Sequence, residues 1–303
     1  MPYPSPITYP SALLFPGSSA AGLFEGSPVA IGDLLFNTVD ADGVFWILES
    51  FKGWGSPGST AELTQRVRGN GATSSEGFLK ARVMTLEGTI DAPSPDLLSA
   101  AVDQLSAAVR LDGFRLLVAE AGRIRHCEAK RQDEVLISWL DAYTAKFSIQ
   151  VVAKDPRKFG DLVSASTRLP FSEGGLIRPS TWPRTWTGVS GTGQVTINNP
   201  GNTQAPVWLR IDGPLPAGGW TVTHQGKKSS LTFATALSLG SGEFVTVDMD
   251  RREVLAQGQA PRSGYVTSRG WFSLDPGDNV IAFSAQNYSS TASLTVTTKP
   301  SWS

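Results

Sequence analysis

The sequence predicts a mainly β protein of two domains, and three observations carry that reading. At 303 residues the chain exceeds the ~100–200 residues of a usual domain. Short apolar runs alternate almost throughout with turns, which account for 31 glycines and 20 prolines. Helical spacing of apolar residues occurs convincingly in one segment alone.

Along the chain, Met1-Pro2-Tyr3-Pro4-Ser5-Pro6 has no basic start and no apolar run of signal-peptide length, so secretion is not expected. Residues 29–51 read as strands, with Gly32-Asp33 and Asp42-Gly43 as turns. Residues 52–77, rich in glycine, serine and threonine, show no period and are expected to be a long loop, either a contact arm or disordered. A strand over 80–91 ends at Ala92-Pro93. Ser94-Pro95-Asp96 then opens a helix, with an N-cap serine, a proline at the first helical position and an acid in the first turn. Leu98, Ala101, Val102, Leu105, Ala108 and Val109 recur at helical spacing as far as Asp112-Gly113, so the helix spans about 94–111 and lays one face on a sheet. Residues 114–119, 123–129, 134–140 and 145–152 follow as strands, antiparallel because their connections are too short for crossovers.

Asp155-Pro156 breaks the pattern. The expected division is a domain over 1–160, a linker over 161–192 that includes Trp182-Pro183-Arg184-Thr185-Trp186, and a second domain over 193–303. Nine short strands without a helix in that last part predict a β-sandwich, a jelly roll.

The composition restricts chemistry. The chain has 26 basic and 27 acidic residues, so no global field draws in nucleic acid or an anionic membrane. One cysteine permits no intrachain disulfide and no thiolate zinc site. The longest apolar stretches are strand-sized, so a soluble protein without membrane insertion is expected.

Motifs that suggest catalysis lose their force in context. Gly53-Trp54-Gly55-Ser56-Pro57-Gly58 has dinucleotide-binding spacing, but Pro57 removes an N–H donor and no suitable helix follows. His126-Cys127-Glu128 is a strand segment in which only His126 and Glu128 share a face, and a structural role is expected. His224, before a turn, reads as ordinary surface. Asp248 and Asp250, with Glu243 nearby, allow a glycosidase pair or a calcium site to be imagined, but followed by Arg251-Arg252 they read as a charged turn. No catalytic, cofactor or metal residues are assigned, and no enzyme is expected.

The remaining candidates are contact residues. Arg66/Arg68, Arg123/Arg125 and Lys130/Arg131 are basic pairs suited to a rim around a channel. Six of the nine tryptophans lie from residue 182 onward. Trp182 and Trp186, in an irregular segment, read as interface anchors. Trp208 and Trp271 read as core, and Trp220 and Trp271 are the candidates for stacking on a sugar.

Several runs in order resemble one family. They are Arg66-Val67-Arg68-Gly69-Asn70-Gly71, the stretch 82–90 from Arg82-Val83-Met84, the single helix, and the strand ending Lys154-Asp155-Pro156-Arg157. In the second half they are Asn199-Pro200-Gly201-Asn202, Val247-Asp248 with Arg252-Glu253-Val254, and Leu274-Asp275-Pro276-Gly277-Asp278-Asn279. Together they resemble the distal tail proteins of long-tailed, non-contractile bacteriophages, with the 52–77 loop as the departure. The resemblance implies a split, β-barrel-like amino-terminal domain with one packed helix and a galectin-like jelly roll. It further implies a structural virion protein at the tail tip: a homo-hexameric ring that joins the tail tube to the tail-tip hub and leaves a channel for the tape measure protein and DNA. Arg82, in one of these runs, joins the interface candidates. The alternative reading is a carbohydrate-binding module for host wall sugars.

Overall fold

The computed structural model describes residues 29–120, 123–173 and 189–303. The chain divides into two compact units, the first ending at Gly160 and the second running Asp161–Trp302. Trp182 and Trp186 lie outside the described residues.

In the first unit the strands are β1 (Val29–Ile31), β2 (Leu34–Leu35), β3 (Thr38–Val39), β4 (Phe45–Lys52), β5 (Ser59–Thr60), β6 (Leu63–Gln65), β7 (Ala72–Ser74), β8 (Phe78–Leu79), β9 (Arg82–Asp91), β10 (Phe114–Glu120), β11 (Arg123–Trp139), β12 (Thr144–Ala153) and β13 (Lys158–Phe159); helix α1 is Pro95–Ala108. The main sheet runs β2-β1-β10-β11-β12-β9-β4-β3. Its two ends, β2 and β3, are joined by Phe36-Asn37 alone, so the sheet curls into a nearly closed barrel. Asn37 makes that corner: it adopts the left-handed φ of 58° that asparagine tolerates, and its Oδ1 accepts from the Leu48 N–H of β4 at 2.8 Å.

The alternation expected of half-buried strands is plain in β12, where Ala145, Phe147, Ile149, Val151 and Ala153 all face the core. Helix α1 begins as its sequence predicts. Ser94 Oγ accepts from the Leu97 N–H at 3.3 Å, Pro95 opens the first turn, and Leu98, Ala101 and Leu105 are buried in the core with Trp46, Met84 and Phe114. Gly88 admits Phe147, because a Cβ there would overlap both its ring and the Ile47 carbonyl.

Two local readings change. The strands expected over 123–129 and 134–140 are one strand, β11, which ends at Trp139 and whose register shifts between Arg131 and Val135. Residues 132–134, polar and charged, form a bulge that interrupts the register without ending the strand. The 52–77 loop is ordered as an arm of nested ladders, β5 with β8 and β6 with β7.

The second unit is a sandwich. Its strands are β14 (Val163–Arg168), β15 (Phe171–Glu173), β16 (Val189–Gly191), β17 (Gln194–Asn199), β18 (Val207–Asp212), β19 (Trp220–His224), β20 (Ser229–Phe233), β21 (Phe244–Asp248), β22 (Glu253–Ala256), β23 (Ala260–Pro261), β24 (Val266–Arg269), β25 (Gly277–Ala285) and β26 (Ser293–Thr298). One sheet runs β14-β26-β18-β21-β22-β23 and the other β17-β25-β19-β20-β24. Leu209, Val245 and Val296 of the first meet Val222, Phe283 and Ile281 of the second in one core. Residues 163–168, placed in a linker by composition, form β14, paired with β26 along its full length.

Candidate assembly interface

The arm begins at Gly53, whose φ of 85° and contact with the Val83 carbonyl leave no room for a side chain. Arg82, at the opposite side of the root, is 1% exposed. Its guanidinium makes five hydrogen bonds to four backbone carbonyls: Nη1 to Gly53, Trp54 and Gly55, and Nε and Nη2 to Pro156 at 3.0 and 2.7 Å. Arg82 is therefore a buried structural clamp, a correction to its reading as an interface residue. Five donors in a fixed fork suit this task, whereas a surface contact would leave them in water.

The same geometry settles Gly53-Trp54-Gly55-Ser56-Pro57-Gly58. A phosphate cradle presents N–H groups, and this turn presents carbonyls to a cation. Trp54 completes the root. It is buried, its Nε1 donates to Glu120 Oε1 at 2.7 Å, and Glu120 Oε2 accepts from Arg125 Nη1 at 2.8 Å. Lys158, itself 6% exposed, sits over the Trp54 ring at 5.0 Å. Burial, and then the neighbouring Arg82 charge, hold the Lys158 ammonium below its ordinary pKa. Cys127 lies in the same interior, and burial pushes its thiol up to about 12 against the opposing pull of Arg82. Arg125 is thus half-buried in an ion pair, while Arg123 is exposed at the start of β11.

Beyond this root the arm is open to solvent. Arg66 and Arg68 are exposed, Val67 between them is 98% exposed, and Leu63 and Phe78 are also exposed. A second unsatisfied feature is the strand edges. Among the described residues, β11 over 132–139 is bonded only to β12, and β4 over 49–52 only to β9. Among the described residues these stretches of β11 and β4 are therefore open edges, on the two sides of the β12 and β9 pair. At the far end of this sheet from the arm, Leu136, Trp139, Leu140 and Tyr143 are all more than half exposed.

The second unit corrects further expectations. Trp220 is 2% exposed and stacks on Phe233 with ring centroids 5.2 Å apart, so it fills the core and is closed to a sugar. Trp271 is half-buried against the same core. Trp208, expected inside, is half-buried with its Nε1 donating to Asp248 Oδ2 at 2.9 Å. Asp248 also accepts from the Arg251 N–H, as a charged turn requires. His224 is buried: Nε2 meets Asn279 Oδ1 at 3.0 Å and Nδ1 accepts from the Lys227 N–H at 3.1 Å, which fixes the neutral tautomer with its proton on Nε2. Asn279 in turn holds the 275–279 turn through its Nδ2, which donates to the carbonyls of Asp275 and Gly277. Among the described residues no cluster of three or more His, Cys, Asp or Glu could hold a metal, and no helix is long and apolar enough to cross a membrane.

Comparison with known proteins bears on the resemblance. Residues 200–302 match the family model of the siphovirus-type tail component, C-terminal domain. Among solved structures, the Dit protein of phage SPP1, described as a paradigm of the hub adsorption apparatus in phages infecting Gram-positive hosts, is similar at a TM-score of 0.61 and 12% identity, over 83% of this chain and 92% of that one. A chain of the phage P2 baseplate is similar at a TM-score of 0.51 and 10% identity, over 89% and 97%. No curated protein sequence matches. The likeness to phage distal tail proteins is therefore met twice, by the tail-component family model over residues 200–302 and by the Dit fold over most of the chain.

Proposed function

We propose that this chain is a distal tail protein that assembles as a homo-hexameric ring at the end of a phage tail tube, joins the tube to the tail-tip hub, and keeps an axial passage open for the tape measure protein and then DNA. The tail-component match over residues 200–302 carries this reading. The first unit supports it physically. A head-to-tail ring needs two different, complementary surfaces on each copy, and among the described residues the open stretches of β11 over 132–139 and β4 over 49–52 are two such edges. Alternation of strand directions brings β11 of one copy antiparallel to β4 of the next, so the copies would continue one sheet.

The sheet face turned away from the core suits a passage. It carries Val83, Thr85 and Glu87 from β9 and Lys146, Ser148 and Gln150 from β12, small or polar groups of balanced charge. DNA would cross such a wall without base-specific contacts. Localisation at the virion tail tip follows from the same reading.

Mass photometry and negative-stain microscopy of the purified chain, alone and with tail-tube protein, test it. Closed rings of six copies are expected. A monomer at every concentration, with no ring on addition of tube protein, would reject the proposal.

A further inference from the structure

We infer that the outward face of strands β26, β18, β21 and β22 binds an uncharged hexopyranose ring, with the Trp208 indole as its platform and Asp248 and Glu253 as acceptors for its hydroxyls. The site lies wholly within the second unit and does not depend on the ring reading.

Strand alternation builds the face. Leu209, Val247, Val254 and Val296 turn into the core, and the residues beside them turn out. The register sets the outward side chains in rows, Thr297–Trp208–Asp248–Glu253 and, next along the strands, Arg210–Thr246. All six line a groove of about 270 Å³. Sites for larger ligands occupy ~300–1,000 Å³, so this groove is sized for one sugar ring.

The chemistry fits the same ligand. A pyranose presents a face of C–H groups and a rim of hydroxyls, so it needs a flat apolar surface beside fixed hydrogen-bonding groups. Trp208 is that surface: it is half-buried, and its Nε1 donates to Asp248 Oδ2 at 2.9 Å, which holds the ring in one orientation. Asp248 Oδ1 accepts from the Arg251 N–H at 2.9 Å, and a carboxylate with about four lone-pair positions has room for a further hydroxyl. Glu253 stands directly opposite Asp248, is exposed, and makes no hydrogen bond or ion pair among the described residues. Like charges facing each other across two strands weaken a sheet, and Arg251 Nε, 3.8 Å from Asp248, offsets this only in part. Sugar hydroxyls donating to both carboxylates would offset the rest. A donor is also held in place. Arg210 stacks on Phe244 at 3.8 Å, and Asp212 engages its Nε and Nη2, which leaves Nη1 over.

The same groups select the ligand class. Arg210 is already paired, and the adjoining carboxylates repel a phosphate, sulfate or uronic acid, so the groove discriminates against anionic sugars. None of the outward residues is an exposed large hydrophobic of the kind that anchors a protein partner.

The full-length chain, titrated by ligand-observed NMR, tests the site. The probes are methyl glycosides of glucose, galactose, mannose and N-acetylglucosamine, together with neutral and anionic oligosaccharides. At least one uncharged glycoside should bind with a Kd of about 1 mM, the range for one platform and a few hydrogen bonds. Tighter binding of a neutral oligosaccharide would identify a glycan as the source of the ring, and equal binding the free sugar. Glu253→Gln, an exposed change that leaves the thermal transition in place, should weaken binding roughly fivefold. Trp208→Ala should weaken it about tenfold or more, and if that variant fails to fold, Glu253→Gln decides alone. No binding of any uncharged sugar at about 20 mM, a preference for the anionic series, or binding indifferent to Glu253→Gln would each overturn the site.

Discussion

At Arg82 a charge has been taken out of water to hold two backbone segments that lie far apart in sequence. Removing one partner from such an arrangement leaves carbonyls buried without donors, each at a cost of ~1–3 kcal/mol. Arg82→Met should therefore destabilise the first unit by about 3 kcal/mol or more and release the arm root, which denaturant unfolding and amide exchange at Gly53–Gly55 would register. Nothing in the run Arg82-Val83-Met84 distinguishes this arginine from a surface one, because its four acceptors come from residues 53–55 and 156. Cys127 makes a companion case. With its pKa pushed up to about 12, the thiolate fraction at pH 8 is roughly one in ten thousand, and burial bars access besides. The folded protein should not react with a thiol reagent on a timescale at which the denatured chain reacts fully. Trp220 is a related case: strand alternation assigns it to one face, but which face meets the core depends on the sheet opposite.

Among the elements, α1 was legible in full, since its cap, first-turn proline and apolar spacing are local signals that need no partner. The arm was legible only as an exception. Its ladders are short and exposed, so no hydrophobic alternation marks them. The core strands depend on close approach at one glycine. Gly88→Ala would drive a methyl into the Ile47 carbonyl and the Phe147 ring, and the expected loss is ~1–3 kcal/mol or more, read as a lower midpoint of thermal unfolding. In the second unit Asp275 joins a loop to Lys227 at 2.9 Å. Burial alone would raise its pKa, but the Lys227 hydrogen bond and charge and the Gln204 amide outweigh it and hold the carboxyl below its ordinary value. A carboxyl with a depressed folded pKa stabilises above its unfolded pKa and loses that contribution as pH falls through the folded value. The second unit should accordingly weaken below about pH 4, and Lys227→Met should flatten that dependence in a series of thermal melts.

For the molecule as a whole, assembly is the property to measure. Leu136 and Trp139 lie on the free part of β11 and are 52% and 55% exposed. Replacing both with lysine should change the stability of the isolated chain by no more than ~0.5 kcal/mol each. If the proposed ring forms through this edge, the same change should keep the chain monomeric under conditions where the unaltered protein assembles, because charges on an open strand edge oppose pairing with another chain. A variant that still assembles would place the contact between copies elsewhere on the first unit.

By itself the sequence determined the class of structure: two β-rich halves, one helix, few groups suited to catalysis, and the likeness to phage tail proteins. These follow from local rules, namely period-two alternation, turn residues and caps, which each segment obeys alone. Only the tertiary structure decided that Arg82 and Trp220 are interior, that β11 is one bulged strand, that residues 163–168 belong to the sandwich, and that parts of β11 and β4 are open edges among the described residues. Each of these depends on contacts between residues distant in the chain, and the burial that fixes a side chain's role is a property of the packed whole.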